Sequence, residues 1–164
     1  MRSNDHYIFD LPAGFGLDDL RGLISGNQTP VEDPLRHVQR QYLDTFDWRL
    51  FSAGSVLELA RDTGGQGLVW RRLGSGEVQL QQRMPQVPHF ASDFTAPAIR
   101  ARLEAVTGVR AMHPKVALDS EVHGLRLIDR EGKTMVRLEL RRDQILLPHS
   151  VKQISLPPRL YLFP

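Results

Sequence analysis

Between Gln41 and Gly76, runs of alternating polar and apolar residues are cut by glycine at short intervals. Gly54, Gly64-Gly65 and Gly74-Ser75-Gly76 each separate two such runs. Period-two alternation marks a strand, and tight glycine turns between strands make antiparallel hairpins. A long meander of this kind exposes strand edges that would pair with other chains unless they are closed or covered. The expected solution is a closed or nearly closed β-barrel with the helices outside.

The rest of the chain supports that architecture. YIFDLP at 7–12 is a first strand stopped by Pro12. Asp18 and Asp19 open a short helix whose stripe is Leu17, Leu20, Leu23 and Ile24, ended at Gly26-Asn27. Residues 27–36 carry two prolines and form a loop, and 37–45 alternate as a strand. Phe46 to Ala53 is a compact helical turn that places Trp48 and Phe51 in the core. Strands are expected at 55–62 and 67–73, followed by VQLQQR; the prolines of 84–97 exclude a central strand there. A second helix begins near Thr95, has Pro97 in its first turn and Ile99, Leu103 and Val106 as its stripe, and is capped by Gly108. Strands follow at 113–121, 122–129, 133–141, 144–147 and 151–156, with a hairpin turn at Asp129–Gly132.

The fold class is thus α+β, an eight-stranded, mainly antiparallel barrel or tunnel with two or three short helices outside. One domain is expected over 1–156, with 157–164 a proline-rich tail that packs on the barrel or leads into a linker. The chain length of 164 residues suits one such core.

Composition excludes several chemistries. There is no cysteine, hence no disulfide, thiolate metal site or cysteine nucleophile. The six histidines lack HxH or HExxH spacing, which argues against zinc. No apolar run approaches the roughly 18 residues that span a bilayer. The polar start MRSNDHYIFD has no signal-peptide core. These features point to a cytoplasmic protein with neither DNA nor membrane as partner. Arginine outnumbers lysine 18 to 3, and guanidinium pairs phosphate bidentately.

Three segments carry a family resemblance. LPAGFGLDDLRGLI at 11–24, YLDTFDWRLFSAG at 42–54 and HGLRLIDREGKTMVRLEL at 123–140 resemble the CYTH, or triphosphate tunnel, family, in particular CYTH modules joined to helical CHAD domains. The resemblance implies an eight-stranded tunnel whose basic side chains hold a triphosphate and whose glutamates hold Mg²⁺ or Mn²⁺. Alternation, together with the family's strand motifs as the resemblance places them (its Thr-x-Lys strand on Val69-Trp70-Arg71), then assigns candidate lumen residues. Arg40, Arg61, Arg71, Arg83, Lys115, Arg137 and Arg141 are the phosphate-binding candidates, and Glu139 and Glu121 the metal candidates.

The same resemblance exposes losses. The family's Glu-x-Glu-x-Lys opening falls on Asn4, His6 and Ile8, and its Leu-Arg-x-Arg strand becomes Leu57-Glu58-Leu59-Ala60. The expected function is a non-catalytic module that binds tripolyphosphate or polyphosphate, or docks to a partner such as a CHAD-type helical domain. The alternatives are a Mg- or Mn-dependent triphosphatase with a reduced site, and a purely structural domain. No cofactor is implied outside the triphosphatase alternative.

Overall fold

A computed structural model describes residues 7–24, 30–147 and 153–164. Asn4, His6 and His149, the helix stop at 26–27 and the start of the 151–156 strand lie outside these residues. The chain divides into two compact units: one comprises Met1–Val38 and Asp119–Pro164, the other Gln39–Leu118.

The first unit holds β1 (Tyr7–Asp10), α1 (Leu17–Ile24), β2 (Pro30–Glu32), the start of β3 (Arg36–Thr45), most of β7 (Met112–Ile128), β8 (Thr134–Leu146), β9 (Gln153–Ser155) and β10 (Arg159–Phe163). β10 pairs antiparallel with both β1 and β8, β9 with β8, and β2 with β7. The segment expected as a tail thus supplies a strand. β7 and β8 are each continuous where two strands were expected.

Eight residues of helix are unstable alone, so α1 depends on burying its stripe. Leu20 packs with Leu125, Leu138 and Leu140, flanked by Leu17, Ile24, Val136, Leu160 and Leu162. The expected outward face of β8, with Val136, Leu138 and Leu140, is the one α1 covers. Leu23 is the exception, at 75% exposed. Asp19 fixes the start of the helix by accepting the Gly16 N–H at 2.7 Å.

A buried polar contact lies between β7 and β8. The Ser120 hydroxyl, fully buried, donates to Asp143 Oδ1 at 2.5 Å. Removing the hydroxyl deprives a buried carboxylate of one donor. Ser120→Ala should lower stability by about 1–2 kcal/mol in urea unfolding, with the m-value unchanged.

The second unit holds the rest of β3, α2 (Arg49–Ser52), β4 (Ser55–Asp62), β5 (Gly65–Arg72), β6 (Val78–Arg83), α3 (Pro97–Thr107) and the beginning of β7. β3, β4, β5 and β6 lie side by side in an antiparallel meander, as the glycine turns require. Leu43, Leu57, Leu59, Leu68 and Trp70 from its apolar face pack with Phe94, Leu103 and Met112. α3 begins on Pro97 and ends at Gly108, whose φ of +62° suits a residue without a Cβ.

The turn from Thr45 to Ala53 departs from expectation. Trp48 and Phe51, placed in the core from their apolarity, are 47% and 59% exposed; Leu50 is the residue of α2 that is buried. Asp44 causes this. Its carboxylate accepts the backbone N–H groups of Thr45 (2.7 Å), Leu50 (2.9 Å) and Phe51 (2.9 Å). That bond set folds the chain back over Asp44 and turns Leu50 inward. Trp48 takes the left-handed conformation, φ 58° and ψ 41°, which costs a non-glycine residue roughly 1–2 kcal/mol.

Candidate anion-binding faces

Leu43, Leu57, Leu59, Leu68 and Trp70 occupy one face of the β3–β6 meander, so the residues between them point to the other. Strand register aligns those residues across the sheet. Arg40 stands opposite Ala60, Ala60 opposite Gly67, and Gly67 opposite Arg83. The next row is Tyr42, Glu58, Val69 and Gln81. Beyond it Arg71 stands opposite Val56 and Val78. The first row therefore sets two small residues between two arginines, a shallow saddle with cationic ends. A Cβ added at Gly67 would meet only the Gln82 carbonyl, at 3.9 Å.

Glu58 occupies one of the positions where the resembling family carries arginine. Its Oε1 lies 3.5 Å from Arg40 Nε, and both side chains are largely buried. The face thus carries Arg40, Arg71 and Arg83 against the Glu58 carboxylate. Arg61 does not join them. It shares the phase of Leu57 and Leu59 and stands exposed at the end of β4. Lys115 is engaged elsewhere, with Nζ donating to the Phe46 carbonyl at 3.3 Å and lying 5.1 Å from the Trp48 ring centroid.

The first unit has a polar face of its own. Register places Arg137 opposite Phe163, Glu139 opposite Tyr161, and Arg141 opposite Arg159. Glu139 accepts from Arg36 at 2.6 Å through one oxygen and from Arg141 at 2.6 Å through the other. Arg141 also stacks on Tyr161, 3.8 Å from the ring centroid. Arg36, Arg159 and Tyr161 were not among the expected site residues. Arg36 fell in the predicted loop and the other two in the predicted tail; strand pairing, not local sequence, brings them in.

Burial raises the Glu139 carboxyl, but the charges and hydrogen bonds of Arg141 and Arg36 outweigh it and hold the group below the usual glutamate range. A depressed folded value stabilises the protein above the unfolded value, and that contribution is lost as pH falls through the folded one. Acid unfolding followed by circular dichroism should therefore show a destabilising limb below about pH 4.5. Glu139→Gln should flatten that limb.

Glu121 does not approach Glu139. It lines a cavity of about 310 Å³ with His37, Asp119, Arg142, Gln144 and Ser155, and Arg142 alternates to the face opposite Glu139. Ser120, which bonds Asp143, takes the phase expected for Glu121. Hard divalent cations need several oxygen ligands together. Among the described residues no three His, Asp or Glu side chains are grouped to hold one. Both oxygens of Glu139 are already bound by guanidinium groups. The described residues do not fit a Mg²⁺ or Mn²⁺ centre.

No family model matches the chain, and no curated protein matches it. Solved structures do. A Bacillus halodurans protein named as a candidate adenylate cyclase superposes with a TM-score of 0.64 at 12% identity, over 96% of this chain and 78% of that one. HpAC1 of Hippeastrum, named as a candidate adenylyl cyclase with a dominant triphosphatase activity, gives 0.58 at 15% identity, over 96% and 77%. Identities this low show the fold alone. Both neighbours have the CYTH-type tunnel fold, so the resemblance seen in the sequence holds for the fold.

Proposed function

We propose that the protein binds a phosphate-rich anion such as tripolyphosphate on the polar face of the β3–β6 meander, without hydrolysing it. The observation that carries this reading is the row Arg40–Ala60–Gly67–Arg83, with Arg71 nearby. Small residues let a chain of phosphates lie on the sheet, and guanidinium groups at either end and beside it supply bidentate, charge-assisted donors. The lack of turnover follows from the donor set. Glu58 is paired with Arg40 and Glu139 with Arg36 and Arg141, so neither presents a free carboxylate for the metal that phosphoryl transfer uses.

A metal-dependent triphosphatase is the second reading, favoured by the activity named for the Hippeastrum neighbour. It requires Glu58 or Glu139 to exchange arginine for metal when substrate enters.

Tripolyphosphate should raise the melting temperature in a concentration-dependent way by mass action, and the rise should shrink with added salt. Gly67→Val should fold, since a Cβ at this strand position meets only an ordinary contact, and should lose the shift by filling the saddle. A wild-type melting temperature indifferent to tripolyphosphate at low ionic strength would refute the reading.

A further inference from the structure

The turn between β3 and β4 presents three aromatic rings to solvent: Phe46 is 64% exposed, Trp48 47% and Phe51 59%. Val109, after α3, is 94% exposed. The rings form one patch. Trp48 and Phe51 meet edge to face at 6.2 Å. Arg110 lies 5.4 Å from the Phe46 ring centroid, and Lys115 bridges the Phe46 carbonyl and the Trp48 ring. Arg49 and Arg110 both reach Asp47, at 3.1 and 3.2 Å. Three cations thus surround the rings; of the two carboxylates in the turn, Asp47 is paired with two of these cations and Asp44 is buried beneath the backbone it clamps.

The patch is also held rigidly. Asp44 clamps the backbone at Thr45, Leu50 and Phe51, and the Thr45 hydroxyl accepts the Arg49 N–H at 3.1 Å. Trp48 keeps a left-handed backbone that a bulky residue disfavours. No need of the core explains an exposed tryptophan in that conformation.

We propose that this turn docks the protein on the surface of an anionic lipid bilayer, a role separate from the anion site of the meander. Tryptophan and phenylalanine settle at the headgroup level of a bilayer, while arginine and lysine beside them face anionic lipid. The rings are exposed to solvent. The adjoining groove is bordered by Asp47, Arg49, Ser52, Ala53, Ala105 and Val106 and by none of the three rings, which favours a fluid surface over a peptide partner. The sequence expectation of no membrane partner rested on the lack of a spanning run. Among the described residues no helix is long and apolar enough to cross a membrane, and peripheral docking needs none.

Trp48 reports directly on the patch, because the other tryptophan, Trp70, is only 3% exposed. Vesicles of phosphatidylcholine and phosphatidylserine should shift the tryptophan emission of the wild-type protein to the blue and carry the protein down on sedimentation; phosphatidylcholine alone should do neither. Trp48→Gly, which relieves the left-handed backbone and so keeps the fold, should bind these vesicles roughly tenfold more weakly. Lys115→Glu should do the same. Melting curves near wild type would show both variants folded. Absence of both blue shift and sedimentation with the mixed vesicles overturns the proposal. So does sedimentation that both variants retain in full, which would place lipid binding on another basic face.

Discussion

Asp44→Ala should lower the stability of the protein by about 3 kcal/mol or more, the largest loss expected from any single substitution. The side chain is 5% exposed and accepts three backbone N–H groups. Hydrogen bonds to a charged acceptor contribute roughly 1.5–3 kcal/mol each, and a buried donor left without a partner costs about 1–3 kcal/mol. The three do not add fully, because loss of one loosens the turn that holds the others. Leu50, 1% exposed, would lose its fixed position as the turn relaxes. Asp44→Asn keeps one acceptor oxygen and should recover part of the loss. Urea unfolding measures both, and a loss below about 1 kcal/mol for Asp44→Ala would contradict the role assigned to this carboxylate.

The second large effect concerns binding. Arg71→Ala combined with Arg83→Ala should weaken tripolyphosphate binding roughly a hundredfold, about tenfold for each guanidinium removed. Arg83 is exposed and Arg71 half-buried, so the double variant should fold. Glu58→Gln should act in the opposite direction. It removes the Glu58 carboxylate from that face and breaks its ion pair with Arg40, so affinity should rise and its salt dependence steepen. Fluorescence competition at several ionic strengths would resolve both changes. Equal affinity in the wild type and the arginine double variant would move the site elsewhere.

Much of this architecture was legible in the chain itself. Alternation placed Val136, Leu138 and Leu140 under a helix, and Arg40 and Arg83 on polar strand faces; Arg71 came from the family's strand motif. Gly108 and the Asp129–Gly132 turn were marked by residues that local backbone geometry demands; Asp129 Oδ1 accepts the N–H groups of Glu131 and Lys133. What escaped depends on distant partners. Trp48 and Phe51 look like core residues by type, and only the carboxylate of Asp44, reaching six and seven residues ahead, turns them outward. Glu121 and Glu139 each sit on alternating strands, yet alternation does not say which face is which. On β7 the apolar phase changes, from Val122 on even positions to Leu125 and Leu127 on odd ones. That change sends Asp119 and Glu121 to the side of Arg142. Arg159 and Tyr161 were hidden in a proline-rich tail because β10 exists only through its pairing with β1 and β8.

The central claim is binding without turnover. Isothermal titration of the intact protein with tripolyphosphate, run beside a phosphate-release assay with and without Mn²⁺, tests both halves in one sample. The account predicts a saturable, salt-sensitive heat that needs no metal, and no phosphate released above the uncatalysed background. Phosphate released only with Mn²⁺, and abolished by Glu139→Gln or Glu58→Gln, would contradict it and establish the triphosphatase reading instead.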